Sequence, residues 1–132
     1  MNVLKGNIHK LTVSNNLTLV STKVNNIEIF AIVIDTVNSA PYLQEGNAID
    51  VLFKETEVII GIGETNELSI RNQFIGKIES INSNELLSKL VIKTSVGYIN
   101  SIITTHSLKR LNLEIGTLVT AMVKTNEIML SE

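Results

Sequence analysis

The sequence is poor in the residue types on which several common functions depend. Its 132 residues include no Cys and no Trp, and only 4% are aromatic. The absence of Cys excludes disulfides, thiolate metal sites and Cys nucleophiles. Charged residues make up 18% of the chain and the formal net charge is −2, so bulk attraction to nucleic acid is not expected.

Membrane and targeting segments are not expected either. No apolar run approaches the roughly 20 residues of a membrane-spanning helix, and residues 1–10 lack the apolar stretch of a signal peptide. Hydrophobic residues nevertheless make up 44% of the chain, enough for a packed core and for apolar surface that meets another subunit. We therefore expect a cytoplasmic protein that contacts no membrane and associates with itself.

Sequence motifs of the common enzyme classes are absent as well. The chain contains neither a G-x-x-x-x-G-K-[ST] phosphate-binding loop nor a G-x-S-x-G nucleophile elbow. His9 and His106 lie in different halves of the chain, without a second His or a carboxylate at ligand spacing. We therefore expect a protein that is not an enzyme and has no resident metal site.

The chain is an internal duplication with an offset of 70 residues. The offset needs no gap and aligns identical residues, among them Asn2 with Asn72, Gly6 with Gly76, Leu43 with Leu113, Gly46 with Gly116 and Lys54 with Lys124. The sequence therefore predicts repeat 1 over residues 1–62, a linker over 63–68 and repeat 2 over 69–132.

Each repeat is predicted to be mostly β-strand, because Val, Ile and Thr are abundant and turn residues separate the runs. One stretch per repeat departs from this pattern. In repeat 2, residues 105–111 follow a residue of the type that caps helices, so they are predicted to form a short helix. In the equivalent segment of repeat 1, Pro41 suits the first position of a helix. We expect an all-β fold of two tandem OB-like five-stranded barrels, each with one short helix. Exchange of a strand between the two modules is an open alternative.

Repeat 2 carries side chains that can donate hydrogen bonds to an anion: Ser69, Arg71, Thr104, Ser107, Lys124 and Thr125. Ser69 and Arg71 share one face of an extended segment, because side chains alternate along a strand. A tetrahedral dianion needs many such donors and about two positive charges. The alternative from the residues alone is that Arg71 is a surface charge, and that Thr104 and Ser107 only cap a turn.

Three segments of repeat 2 resemble motifs of the molbindin (Mop) family. Residues 69–78 (SIRNQFIGKI) resemble its SARNxLxGxV opening, residues 101–116 resemble its IT..S...L.L..G segment, and residues 121–130 (AMVKTNEIML) resemble its A.IKAT.VML ending. They occur in the family's order and spacing. Through the offset of 70 residues, the whole chain resembles a tandem Mop protein.

The resemblance implies a cytoplasmic protein that binds molybdate or tungstate between modules, often of different subunits. It assigns the oxyanion to the six donors of repeat 2 and implies storage or homeostasis of molybdenum or tungsten without catalysis. A homotrimer is the favoured assembly and a homodimer the alternative.

Repeat 1 departs from the family motif at most ligand positions. The Arg position falls on Met1, Ile34 and Val37 replace the two hydroxyl residues, and the Ser position has no counterpart. Lys54 is retained as an expected ligand. Glu55 follows it, and a carboxylate would repel a dianion in a poorly solvated pocket. Repeat 1 is therefore expected to lack a complete site, and either lends Lys54 to neighbouring sites or serves only as a structural half.

Other functions stay open at this level. Paired modules of this kind form the sensing part of molybdate-responsive transcription regulators and importer ATPases, so the chain could be a detached sensor subunit. Binding of single-stranded nucleic acid requires aromatic stacking platforms, and the scarce aromatics and a pI of about 5.7 argue against it. A molybdenum-pterin ligand would need an aromatic clamp that the sequence does not show.

Overall fold

The computed structural model of the protein describes residues 1–64 and 67–132. Two residues of the predicted linker, Thr65 and Asn66, lie outside the described residues. The described strands are β1 (Asn2–Ser14), β2 (Leu17–Val24), β3 (Ile27–Val33), β4 (Ala48–Phe53), β5 (Ile59–Ile62), β6 (Asn72–Ser83), β7 (Leu87–Thr94), β8 (Gly97–Thr104), β9 (Leu118–Val123) and β10 (Met129–Ser131). One α-helix, α1 (Thr105–Arg110), and two 3₁₀ turns, Glu55–Glu57 and Thr125–Glu127, complete the described elements.

The strands form two five-stranded antiparallel sheets, and each sheet takes one strand from the other repeat. The strand orders are β10-β4-β1-β2-β3 and β5-β9-β6-β7-β8. The last strand of repeat 2 pairs with β4 of repeat 1, and the last strand of repeat 1 pairs with β9 of repeat 2. The predicted all-β class with two five-stranded units is confirmed, and the exchange of the two last strands interlocks the repeats.

The first strand of each repeat approaches its neighbour so closely that only glycine fits. A Cβ atom at Gly76 would lie 2.3 Å from the backbone oxygen of Lys93, and one at Gly6 would lie 2.4 Å from that of Lys23. A β-bulge follows in each strand, between Ile8 and Lys10 in repeat 1 and at the same place in repeat 2. Bulges increase the local twist, which curls both sheets in the same way.

The main hydrophobic core is shared by the two repeats. Its buried side chains come from both sheets and include Leu4, Val51 and Phe53 of repeat 1 with Phe74 and Val119 of repeat 2. Because one core and two exchanged strands connect the repeats, we expect them to fold as a single unit.

The short helix predicted for repeat 2 is present. α1 begins after Thr104, whose Oγ1 accepts a hydrogen bond from the backbone N–H of Ser107 at 3.2 Å. At its end, the backbone N–H of Leu111 donates to the carbonyl oxygen of Ser107 at 3.0 Å. Within the described residues, no helix is long and apolar enough to cross a membrane.

The helix predicted for repeat 1 does not form, and its segment consists of turns instead. Two substitutions explain the difference. Ile34 stands where repeat 2 has Thr104 and has no oxygen with which to cap a helix. Pro41 stands where repeat 2 has Leu111 and has no N–H to close the last turn.

Candidate functional site

Two asparagine contacts join the repeats in the same way from both sides. The Nδ2 of Asn72 donates to the carbonyl oxygen of Phe30, and its Oδ1 accepts from the backbone N–H of Phe30, each at 2.8 Å. Asn2 makes the equivalent pair of bonds with Asn100, at 2.9 and 2.8 Å. Both asparagines are buried, and Phe30 and Asn100 occupy equivalent positions of the repeats. The repeated Asn was visible in the sequence, but its role as this inter-repeat clamp was not.

The Asn72 clamp places the neighbouring Arg71 on the sheet of repeat 1. The Cζ atom of Arg71 lies 3.5 Å from the centroid of the Phe30 ring, a cation–π contact. Arg71 is exposed, and it forms no ion pair with any residue that the structure describes. This cationic predicted ligand is therefore held in place by repeat 1 without being neutralised.

Arg71 borders a cleft of about 310 Å³ on the outer face of β1, β2 and β3, which we call the Arg71 cleft. Its lining consists of His9, Lys10, Thr12, Leu19, Ser21, Glu28, Phe30 and Arg71. All of these residues except Arg71 belong to repeat 1. The Nε2 of His9 lies 3.6 Å from the Oε1 of Glu28.

Thr104 and Ser107 lie together in a second cleft, of about 430 Å³, whose wall includes Thr56 and Ile59 of repeat 1. The Oγ1 of Thr104 donates to the Oγ of Ser107 at 3.1 Å, so the two predicted hydroxyl ligands are adjacent. Arg110 lines the same cleft and was not among the predicted ligands. The sequence could have indicated Arg110, because it follows Ser107 by three residues on a predicted helix and such residues share a face.

The lysines Lys54 and Lys124 precede equivalent 3₁₀ turns and are both exposed. Lys54 lines a cavity of about 210 Å³ together with Glu57, Asn126, Glu127 and Met129. That cavity carries two carboxylates for one ammonium, so within a single chain it does not favour an anion.

Glu55 changes the electrostatics at the position where repeat 2 has Thr125. The amino group of Met1 donates a hydrogen bond to the Glu55 carboxylate. This bond, with a smaller contribution from a backbone hydrogen bond, lowers the pKa of Glu55 below its ordinary value. Repeat 1 therefore presents a carboxylate where repeat 2 presents a half-buried hydroxyl.

One chain does not bring all the predicted ligands to one point. Arg71 lies in the first cleft, Thr104 and Ser107 lie in the second, Lys54 lies in the third, and these three share no residue. Ser69, Lys124 and Thr125 line none of the three. No group of three or more His, Asp or Glu residues that could hold a metal ion occurs in residues 1–64 and 67–132.

Residues 68–130 match the family described as the TOBE domain. The structure is similar to that of the cytoplasmic molybdate-binding protein ModG, solved with molybdate bound, with a TM-score of 0.87 and 23% identity over 98% of this chain and 94% of that chain. It is also similar to MopII from Clostridium pasteurianum, with a TM-score of 0.48 and 30% identity over 50% of this chain and all of that chain. No curated protein sequence matches the chain. The likeness to ModG spans both repeats and shows the tandem fold. Through its second repeat, the chain therefore belongs to the molbindin (Mop/TOBE) family that its sequence motifs resemble.

Proposed function

We propose that the chain binds molybdate or tungstate without transforming it, and serves intracellular storage or homeostasis of these oxyanions. The observation that carries the proposal is in repeat 2, which keeps the full donor set of the family motif on the matching fold. Its two cationic members, Arg71 and Lys124, are exposed and form no ion pair in the described part of the chain. Their charges are available to a dianion.

The oxyanion that these donors bind lies between two chains. Its donors are dispersed over one chain, so a site that combines them needs a second chain to supply part of the set. Large apolar side chains are exposed on the chain, including Ile34, Ile59, Ile62 and Ile115, and Ile59 lines the cleft of Thr104 and Ser107. Contact with another copy would remove such surface from water. A homotrimer is the favoured assembly and a homodimer the alternative.

Binding requires only that fixed donors replace the water around the anion. Hydrogen bonds from charged groups contribute the most, and hydroxyls such as those of Thr104 and Ser107 complete the shell. Molybdate, tungstate and sulfate share charge and tetrahedral shape, so discrimination against sulfate comes mainly from the size of the site. Where the site joins two chains, the ligand also stabilises the assembly by mass action.

Isothermal titration of the anion-free protein with molybdate, tungstate and sulfate in phosphate-free buffer tests the proposal. We expect tight binding of the first two and little response to sulfate. Arg71→Ala and Lys124→Ala should each weaken molybdate binding by about 1.5–3 kcal/mol, the range for hydrogen bonds to charged groups. Lys77→Ala, which removes an exposed lysine elsewhere on β6, is the control. Absence of binding, or full affinity in both variants, contradicts the proposal.

The contribution of repeat 1 is tested by Lys54→Ala in the same titration. A loss of affinity or of sites would show that Lys54 serves a site completed by a neighbouring chain. Unchanged affinity and stoichiometry would leave repeat 1 without a charged ligand at this position.

A further inference from the structure

Side chains of repeat 1 form the floor of the Arg71 cleft. Lys10 of β1 pairs in register with Ser21 of β2, and Ser21 pairs with Phe30 of β3, so the three side chains form one row across the sheet. The bulge in β1 makes this possible. Ile8 is buried, and regular alternation would also turn Lys10 towards the core. With the bulge, His9 and Lys10 are both exposed on the outer side.

Arg71 completes the cleft from the other repeat. Its position is fixed twice, by the Asn72 clamp on the backbone of Phe30 and by the stacking of its guanidinium on the Phe30 ring. A side chain held in this way loses less conformational entropy when it binds a ligand. The cleft is thus assembled by contacts that exist within one chain.

A buried hydroxyl in the floor of the cleft has no partner among the residues that the structure describes. Ser21 is 6% exposed, and its Oγ forms no hydrogen bond in the structure. A buried polar group without a partner destabilises the fold, because it has lost its hydrogen bond to water and gained none in return. A ligand or ordered water in the cleft, reached by rotation of this small side chain, would supply the missing bond.

The charges of the cleft favour an anion. Lys10 and Arg71 form no ion pair within residues 1–64 and 67–132. Glu28 is the only carboxylate in the lining, and it lies beside His9. The equivalent face of repeat 2 is built differently, because Glu79, Ser80 and Val91 stand at the positions of His9, Lys10 and Ser21, and Lys89 stands at that of Leu19.

We propose that the Arg71 cleft is an oxyanion site complete within one chain. Arg71 and Lys10 supply the positive charge, and the hydroxyls of Thr12 and Ser21 supply further donors. The inference rests on the proposed function for the class of ligand, and it adds a site made largely by repeat 1. The volume of about 310 Å³ leaves room for water molecules that bridge the anion to the more distant donors.

The test combines molybdate titration followed by ¹H–¹⁵N NMR with calorimetry on the full chain. Molybdate should shift the side-chain Nε–H signal of Arg71 and the backbone amides of Lys10 and Ser21. Lys10→Ala should weaken molybdate binding at the Arg71 cleft by about tenfold and leave binding at the site that depends on Lys124 unchanged. Lys77→Ala is the matched control, and circular dichroism verifies that the variants fold.

The outcomes separate this inference from the proposed function. Unshifted Lys10 and Ser21 signals, with unchanged binding in Lys10→Ala and impaired binding in Lys124→Ala, would overturn the cleft site and leave the proposed function standing. If the wild-type chain binds neither molybdate nor tungstate, the proposed function fails, and titration with sulfate and phosphate then tests the cleft alone. Shifts that Lys10→Ala abolishes would support the site, and their absence would overturn it.

Discussion

The two repeats share their backbone contacts and differ in the side chains that can meet a ligand. Both have the Asn clamp, the glycine at the close strand approach and the bulge that follows it. Each of these features involves backbone groups of a neighbouring strand, so the fold requires them in both copies. The side chains that can meet a ligand are not needed for these backbone contacts, so they could diverge between the repeats while the fold stayed the same.

The ligand chemistry is divided unequally between the repeats. Repeat 2 has Thr104 and Ser107 where repeat 1 has Ile34 and Val37. On the outer sheet face, Lys10 and Ser21 of repeat 1 line the Arg71 cleft, whereas repeat 2 has Ser80 and Val91 at these positions. Repeat 1 is therefore not simply a degraded copy of repeat 2.

The largest effect is expected where the repeats agree most closely. Gly76→Ala and Gly6→Ala would each force a Cβ atom against a backbone oxygen that cannot move aside. Each should destabilise the protein by about 3 kcal/mol, the upper end of the usual cost of overpacking. Urea unfolding provides the measurement, with Ser80→Ala on the exposed face of β6 as control. A large loss of stability in only one of the two variants would show that the close strand approach is not equally important in both repeats.

A somewhat smaller and again equal effect is expected for the clamps. Asn72→Ala leaves the N–H and C=O of Phe30 without their partner, and Asn2→Ala does the same to Asn100. Each variant should lose about 2 kcal/mol of stability in urea unfolding. Asn72→Ala should in addition release Arg71, so molybdate affinity should fall in this variant and not in Asn2→Ala. Equal affinities would show that the clamp does not position Arg71.

The helix cap should distinguish the repeats more modestly. Thr104→Ala removes the cap of α1 and should cost about 1 kcal/mol, whereas Ile34→Ala removes no cap and exposes no core, because Ile34 is 79% exposed. Thermal unfolding of the two variants measures the contrast. A cost at Ile34 as large as that at Thr104 would mean that Ile34 is buried in the assembled protein.

Much of the fold could be predicted from the offset of 70 residues and the pattern of β-branched residues. The exchange of the last strands could not be predicted from these two features. The last strands of the repeats are equivalent and both rich in apolar residues, with Ile59 and Ile60 in one and Met129 and Leu130 in the other. Either strand suits either sheet, so the path of the connecting chain decides the pairing, and local sequence does not encode that path.

The sequence predicted which residues could form the candidate site, but not where they lie in the fold. The motif predicts that Arg71 is a ligand, but the surroundings of Arg71 depend on Phe30, which is 41 positions away and belongs to the other repeat. Lys10 and Ser21 were not recognised for the same reason. A bulge turns Lys10 outward, and Ser21 joins it only through the register of β1 and β2.

The smallest effect is expected at Glu55, where repeat 1 has a charge that repeat 2 lacks. The amino group of Met1 lowers the pKa of Glu55 in the folded protein, so the ion pair stabilises the fold above the ordinary pKa of a glutamate. That stability is lost as the pH falls through the lowered pKa. Because Glu55 is partly exposed, solvent screening limits the contribution to less than about 1 kcal/mol. Glu55→Thr, which copies repeat 2, should reduce stability slightly at neutral pH and converge with wild type in acid. Unfolding curves measured across the acidic range provide the comparison, and a constant difference at every pH would show that Glu55 contributes by packing rather than by charge.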